Sequence, residues 1–257
     1  MEKNFFEWVM FFFQSNWQQF LLGTATTLLV SLSGTIIGFF LGLGVSLIQY
    51  TKTDDKSSTL FKGFIKFLKI LISIYITIFR GTPMIVQAMV IFYGLPQLIG
   101  LNLDPLPAAL LIVSINTGAY MAEMIRGGVD SVDPGQLEGA QAIGMSHFQA
   151  MISIIFPQAV RNVLPSIGNE FIINIKDTSV LNVIGVTELF FTSKSIAGSY
   201  AKYYEVFIIT SVIYLFLTFT ISLILNAIEK KIDGPKNFEI LPLQDGNSVV
   251  IKKGKGV

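Results

Sequence analysis

The chain has 257 residues, of which 52% are hydrophobic, 12% aromatic and only 14% charged, with a mean hydropathy of +0.63. That is too apolar for a water-soluble domain of this length and places the chain in a bilayer. A net charge of +1 with basic residues scattered among loops argues against nucleic-acid binding, the absence of cysteine excludes disulfides and thiolate-ligated metals, and the one histidine, His147, leaves no His-based metal cluster or Ser-His-Asp triad outside its own polar segment.

At the amino terminus Phe5, Phe6, Trp8, Phe11, Phe12, Phe13 and Trp17 suit the headgroup interface. Glu7 interrupts this run and no small-residue cleavage site follows, so the first membrane helix is expected to direct its own insertion. A span needs about 20 mostly apolar residues, which predicts helices near 19–48, 83–99, 106–128, 157–176 and 203–228. Within the first, Gly34, Gly38, Gly42 and Gly44 have the small-residue spacing of a close helix contact. The segment 60–79 carries Lys62, Lys66 and Lys69 on one face before a fully apolar stretch, and is expected to be an interfacial entry that bends at Gly81 and Pro83 into the second span. One long tilted helix is the alternative.

Between the third and fourth spans lies a polar, helix-prone insert, 133–158, reading DPGQLEGAQAIGMSHFQAMISIIFPQ. Asp133 and Pro134 open a first short helix, Gly144 permits a turn with φ > 0, and apolar residues at helical spacing follow up to Pro157. This reads as helix, turn, helix, with Glu138 projecting from the elbow and His147 a surface residue. After Asp233-Gly234-Pro235 the chain turns polar and non-periodic, so 236–257 is expected to be a mobile tail. No internal repeat stands out.

Lysine and arginine placement orients the spans, because short cytoplasmic loops carry the positive charge. Lys52, Lys56, Lys62, Lys66 and Lys69 follow the first span, Arg126 and Arg161 flank the insert, and Lys230, Lys231, Lys236, Lys252, Lys253 and Lys255 end the chain. The loop 97–107 has no basic residue, and Lys176, Lys194 and Lys202 are accompanied by Asp177, Glu188 and Glu205. The expected arrangement is an outside amino terminus, five spans, and a cytoplasmic insert and carboxyl terminus.

The skeleton Glu138-Gly139-Ala140, Gly144 and Pro157 resembles the coupling loop of the membrane subunits of bacterial ABC importers, with Gly139 in place of the usual alanine. Around it run Arg80-Gly81-Thr82-Pro83, Gly118-Ala119-Tyr120-Met121-Ala122-Glu123, Arg126-Gly127-Gly128, Gly135-Gln136 and Lys176-Asp177-Thr178-Ser179. Together these resemble the polar amino acid uptake family of ABC permeases over residues 18–235. The resemblance implies an all-α membrane protein of the MetI-like permease fold, with an ABC transmembrane domain over 1–235. It also implies four kinds of partner: a cytoplasmic ABC ATPase dimer docked on Gly135, Glu138, Gly139, Ala140, Gly144 and His147, a second permease subunit, an extracytoplasmic amino acid binding protein, and the surrounding bilayer of a bacterial cell membrane. No GxxxxGK[ST] sequence is present, so ATP and magnesium belong to the partner and this chain is expected to hold no cofactor, metal or catalytic residue.

Glu170, Asn174 and Asp177 are spaced four and three apart on the fourth predicted helix and share a face. A carboxylate near the bilayer centre costs about 2.5–3.5 kcal/mol, so such groups face protein or water. Glu170 is therefore expected to line the pathway and pair with the cationic part of a basic amino acid, assisted by Asn174 and Asp177; a structural hydrogen bond between helices is the competing reading. Thr82, Gln87 and Asn116 are further candidates for the pathway, although such residues often bond between helices. Arg80, Glu123 and Arg126 read as a structural ion-pair cluster at the cytoplasmic rim. An ion-coupled secondary transporter using Glu170 and Asp177 is the runner-up. A membrane-embedded enzyme comes third, since no HExxH or nucleophile–base pair is evident.

Overall fold

The computed structural model describes residues 3–51, 58–233, 238–242 and 249–253. Its helices are α1 (Phe5–Tyr50), α2 (Thr59–Gly81), α3 (Met84–Ile99), α4 (Pro105–Asp130), α5 (Pro134–Ala142), α6 (His147–Ala150), α7 (Phe156–Asp177), α8 (Leu189–Tyr200) and α9 (Tyr203–Asp233). A π turn, Met151–Ile155, joins α6 to α7, and a 3₁₀ stretch, Thr178–Ile184, leads out of α7. Four helical stretches are long and apolar enough to cross a membrane: Phe5–Tyr50, Pro105–Asp130, His147–Ile184 and Tyr203–Ile232.

The fifth crossing is made by two helices. α3 has 16 residues, about 24 Å, which is short of a hydrocarbon core of about 30 Å. α2 supplies the missing half: its Ile72 and Ile76 pack beside Ala122 of α4, and Ala88 of α3 continues up the same helix among Ala108, Ala109 and Ile112. The segment expected as an interfacial entry is thus the first half of the second crossing, broken at Thr82-Pro83. The lysines suggest a surface helix because they crowd the first three turns of α2 and leave the stretch that follows mostly apolar.

α1 runs parallel to α4. Gly34, Gly38 and Gly42 face Val113, Thr117 and Met121 in turn, each four residues on, and Ser46 Oγ donates to Ala122 O over 3.0 Å. α7 runs antiparallel to α4, with Ala159 and Val163 against Gly128 and Asn174 against Thr117. α1 is one unbroken helix of 46 residues, about 69 Å long, opened by a capping box between Asn4 and Glu7. Its aromatic beginning, expected to suit the headgroup interface, is a stiff extension of the first crossing: Phe12 and Phe20 are buried with Leu189 and Ile196 of α8 and Val206 and Ile209 of α9, while Phe6, Phe13 and Trp17 are exposed.

Five crossings leave the two ends of the bundle distinct. The insert, the end of α1, the start of α2 and the end of α9 share one end, with Lys62, Lys66, Lys69, Arg126, Arg161, Lys230 and Lys231. The start of α1, the α3–α4 connection, α8 and Lys176, Lys194 and Lys202 share the other. Lys52, Lys56, Lys236 and Lys255 lie outside the described residues. Within 236–257 an antiparallel hairpin pairs β1 (Phe238–Pro242) with β2 (Val249–Lys253), a regular pairing that the non-periodic sequence does not announce.

Candidate functional site

Local chemistry builds the insert. Asp133 Oδ1 accepts from Gly135 N over 2.7 Å, capping α5, whose first residue is Pro134. At its far end Met145 N donates to Ala140 O and Gly144 N to Gln141 O, the pair of bonds that closes a Schellman turn, with Gly144 at φ +89°. Gly135, Glu138, Gly139 and Gly144 are exposed, whereas Ala140 is buried. Ser146 and Gln149 then form a capping box.

The second helix does not end at Pro157. α6 passes through the π turn into α7, so the elbow and the fourth crossing are one lever. Five residues of π geometry precede a proline that has no N–H for a regular ladder. His147 is more than a surface residue: its ring is half-buried, Nε2 lies 3.1 Å from Tyr50 O at the end of α1, and Nδ1 is buried without a partner among the described residues. It ties the insert to the first crossing.

Thr82, Gln87 and Asn116 meet at the break between α2 and α3. Pro83 has no N–H, so Phe79 O loses its helical donor. The Gln87 side-chain amide donates toward Phe79 O, Thr82 O and Thr82 Oγ1, all at 2.9 Å, and Asn116 Nδ2 donates to Gln87 Oε1 at 2.9 Å. Inside a bilayer such freed backbone groups must be satisfied by protein or water, and here two buried amides do it. Gly81, Thr82 and Pro83 themselves are exposed beside this network.

On α7 the three expected residues separate. Glu170 and Asn174 are 5% and 2% exposed, while Asp177 is exposed where α7 leaves the bundle. Asn174 Nδ2 donates to Thr35 Oγ1 at 2.8 Å and Thr117 Oγ1 at 3.0 Å, so its amide clasps α1, α4 and α7. One turn away, the Glu170 carboxylate receives no hydrogen bond and no ion pair among the described residues.

A charged face of α4 completes the picture. Glu123 accepts from Arg126 Nε at 2.8 Å and stands 3.5 Å from Arg80 Nη1, and Arg126 Nη1 donates to Asp130 Oδ2 at 2.9 Å. The side chains of Arg80, Glu123, Arg126 and Asp130 are 41%, 25%, 47% and 55% exposed. Arg126 and Asp130 stand near the insert end of the bundle, whereas Arg80 and Glu123 lie deeper, where an exposed charge is too costly against hydrocarbon and borders water or protein. Arg80 belongs to the mid-crossing break and not to the rim where the sequence placed it. Sequence reasoning also missed Asp130 and Tyr50, of which only the i, i+4 spacing of Arg126 and Asp130 gave a sign.

The family model described as binding-protein-dependent transport system inner membrane component matches residues 60–234. The chain belongs to this family. It is 35% identical over 210 residues to the arginine transport system permease protein ArtQ of Bacillus subtilis (strain 168), covering 82% of this chain and 90% of that one. Against the glutamine transport system permease protein GlnP of Escherichia coli (strain K12) the identity is 37% over 210 residues, covering 81% and 90%. Among solved structures, an amino acid ABC transporter with histidines superposes with a TM-score of 0.76 at 35% identity, over 90% of this chain and 100% of that chain. The inward-facing MetNI methionine ABC transporter shares the fold, with a TM-score of 0.69 at 18% identity over 84% and 96%.

The protein is accordingly an amino acid ABC importer permease, a transport subunit whose ATP is hydrolysed by a separate ATPase. The MetI-like fold expected from the motifs is the fold found. Family membership also removes the ion-coupled carrier and the membrane enzyme from contention.

Proposed function

We propose that this permease forms half of a translocation pathway for a basic amino acid, arginine, lysine or histidine. The observation that carries this reading is Glu170, a carboxylate 5% exposed with no cation or donor from its own chain among the described residues. At that depth a substrate ammonium or guanidinium is the natural counter-charge. Asp177, exposed at the far end of the same helix, would meet the cation on entry, and Asn174 would hold α7 in register. At the break, the amides of Gln87 and Asn116 are occupied and the Thr82 hydroxyl donates to Ile78 O at 2.8 Å, which leaves the exposed backbone at Gly81 for the polar part of the substrate. Glutamine, or another polar amino acid, is the second reading, favoured by the GlnP relative.

In this reading the basic end of the bundle is cytoplasmic. The amino terminus is then outside, where an extracytoplasmic binding protein would deliver the amino acid, and the exposed face of α4 meets a second permease subunit, a copy or a paralogue. An ABC ATPase dimer, carrying ATP and magnesium, docks on the insert at Gly135, Glu138, Gly139, Ala140, Gly144 and His147. Its closure would push α6, and the unbroken run into α7 would carry that push to Glu170.

Substrate class is tested by ATP-dependent uptake of labelled arginine into vesicles holding the permease, its ATPase and its binding protein, challenged with unlabelled arginine, lysine, histidine, glutamine and glutamate. Competition by the cationic set supports the basic reading; competition by glutamine transfers the assignment to the second. Docking is tested at Gly144, where a β-branched residue is a genuine outlier at φ +89°. Gly144→Val is expected to lower receptor-stimulated ATP hydrolysis about tenfold, within the usual range of coupling between sites. Unchanged stimulation would remove the elbow from the coupling path.

A further inference from the structure

The charged face of α4 forms a continuous line from the break in the second crossing to the insert. Arg80, the second-last residue of α2, faces Glu123 at 3.5 Å. Glu123 holds Arg126, Arg126 holds Asp130, and Asp130 Oδ1 accepts from the Tyr50 hydroxyl at 2.7 Å. The Tyr50 carbonyl in turn meets His147 Nε2 at 3.1 Å, inside the insert. Four separate elements, α2, α4, α1 and α6, are joined by this line, beside which Tyr75 Oη donates to Ile115 O at 2.6 Å and Lys69 Nζ to Thr51 O at 2.8 Å.

We propose that this line couples the pathway to the ATPase, and that Arg80, Glu123, Asp130 and Tyr50 are positioning residues for transport. The links differ in kind. Glu123, Arg126 and Asp130 are neighbours at i, i+3 and i+4 on one helix and move as a body. Tyr50 and His147 fasten that body to the end of α1 and to the elbow. The Arg80–Glu123 contact is the longest ion pair of the line and spans two elements, one of which ends at a break where nothing lies within 4 Å of a Cβ added at Gly81. The Arg80 side chain can therefore make or break this contact while Ile72, Ile76 and Tyr75 keep the body of α2 against α4. When it is made, displacement of the elbow reaches the backbone at Gly81 and Thr82 through this line; when it is broken, that route is interrupted although α2 stays packed on α4. This gives coupling a two-state element that both sites bias, which an energetic link between distant sites requires.

The inference rests on the reading of the insert as the ATPase dock. Its test is a double-mutant cycle in the reconstituted complex of permease, ATPase and binding protein, read as receptor-stimulated ATP hydrolysis, with Arg80→Gln and Tyr50→Phe as the two arms. No hydrogen bond or ion pair joins Arg80 to Tyr50 directly, so local structural effects would multiply. Each single variant is expected to lose stimulation about fivefold or more, and the double variant no more than the worse single one. Co-purification of all subunits checks assembly, and Asp130→Ala, at an exposed position, replaces Tyr50→Phe if that variant does not assemble. Wild-type stimulation in both single variants, or losses that multiply in the double, would overturn the line while leaving the dock intact. No stimulation in the unmodified complex would overturn both.

Discussion

Gly42→Val is expected to prevent stable assembly of the bundle, while Gly44→Ala, two residues further along the same helix, leaves it intact. A Cβ at Gly42 would stand 2.5 Å from Met121 Cβ and 2.7 Å from Ala122 N, and the second of these is backbone that cannot rotate away. A Cβ at Gly44 meets nothing within 4 Å. The two glycines differ because two residues turn a helix by about 200°, so one lies in the α1–α4 seam and the other on the open side. Overpacking a close contact costs about 1–3 kcal/mol. Here the cost falls on a three-glycine seam whose register also places Ser46 against Ala122 O and Tyr50 against Asp130. An alanine at the open position gains about 1 kcal/mol of helix propensity instead. Thermal unfolding of the purified permease in detergent gives the comparison: a lower midpoint, or no folded yield, for Gly42→Val beside an equal or higher midpoint for Gly44→Ala. Equal midpoints in the two would show that the parallel seam is not a principal contact.

The same pair of helices marks what sequence reveals. The four-residue spacing of Gly34, Gly38 and Gly42 announces a close contact, but not its partner, because Val113, Thr117 and Met121 carry no complementary mark. Where interactions stay local, the reading reaches individual bonds: the Asp133 cap and the Gly144 turn each involve neighbours in the chain. His147 shows the opposite case. Its partner, Tyr50 O, is 97 residues away, and nothing in either residue's surroundings points to the other.

The break at Pro83 was legible as a break, since a proline removes a donor wherever it falls in a helix. Its depth was not. Lys62, Lys66 and Lys69 suggested a surface helix, and only the packing of Ile72 and Ile76 on Ala122 shows that the same helix goes on to enter the bundle. Gln87 and Asn116 looked like candidates for a substrate because polar groups in a membrane need a reason; the orphaned Phe79 carbonyl supplies one. Asn174 likewise has its reason in Thr35 and Thr117. Glu170 is left without such a reason among the described residues.

Glu170→Gln is expected to separate transport from stability. Glutamine keeps the size of the side chain and removes its charge, so a residue that serves only the fold and a residue that serves the substrate respond differently. If Glu170 were a structural partner, its replacement would turn a charge-assisted hydrogen bond from its donor into a weaker neutral one and lower the unfolding midpoint. No such donor faces it among the described residues, and relief of an uncompensated buried carboxylate raises stability or leaves it unchanged. Transport should move the other way. A charge-assisted hydrogen bond contributes about 1.5–3 kcal/mol, so uptake of arginine is expected to fall about tenfold to a hundredfold at limiting concentration. Glutamine, with no side-chain cation, should lose no ability to compete in the variant. A midpoint that falls together with uptake of both amino acids would make Glu170 a structural residue; a raised or equal midpoint with selective loss of arginine would identify the carboxylate as the group that recognises the cation.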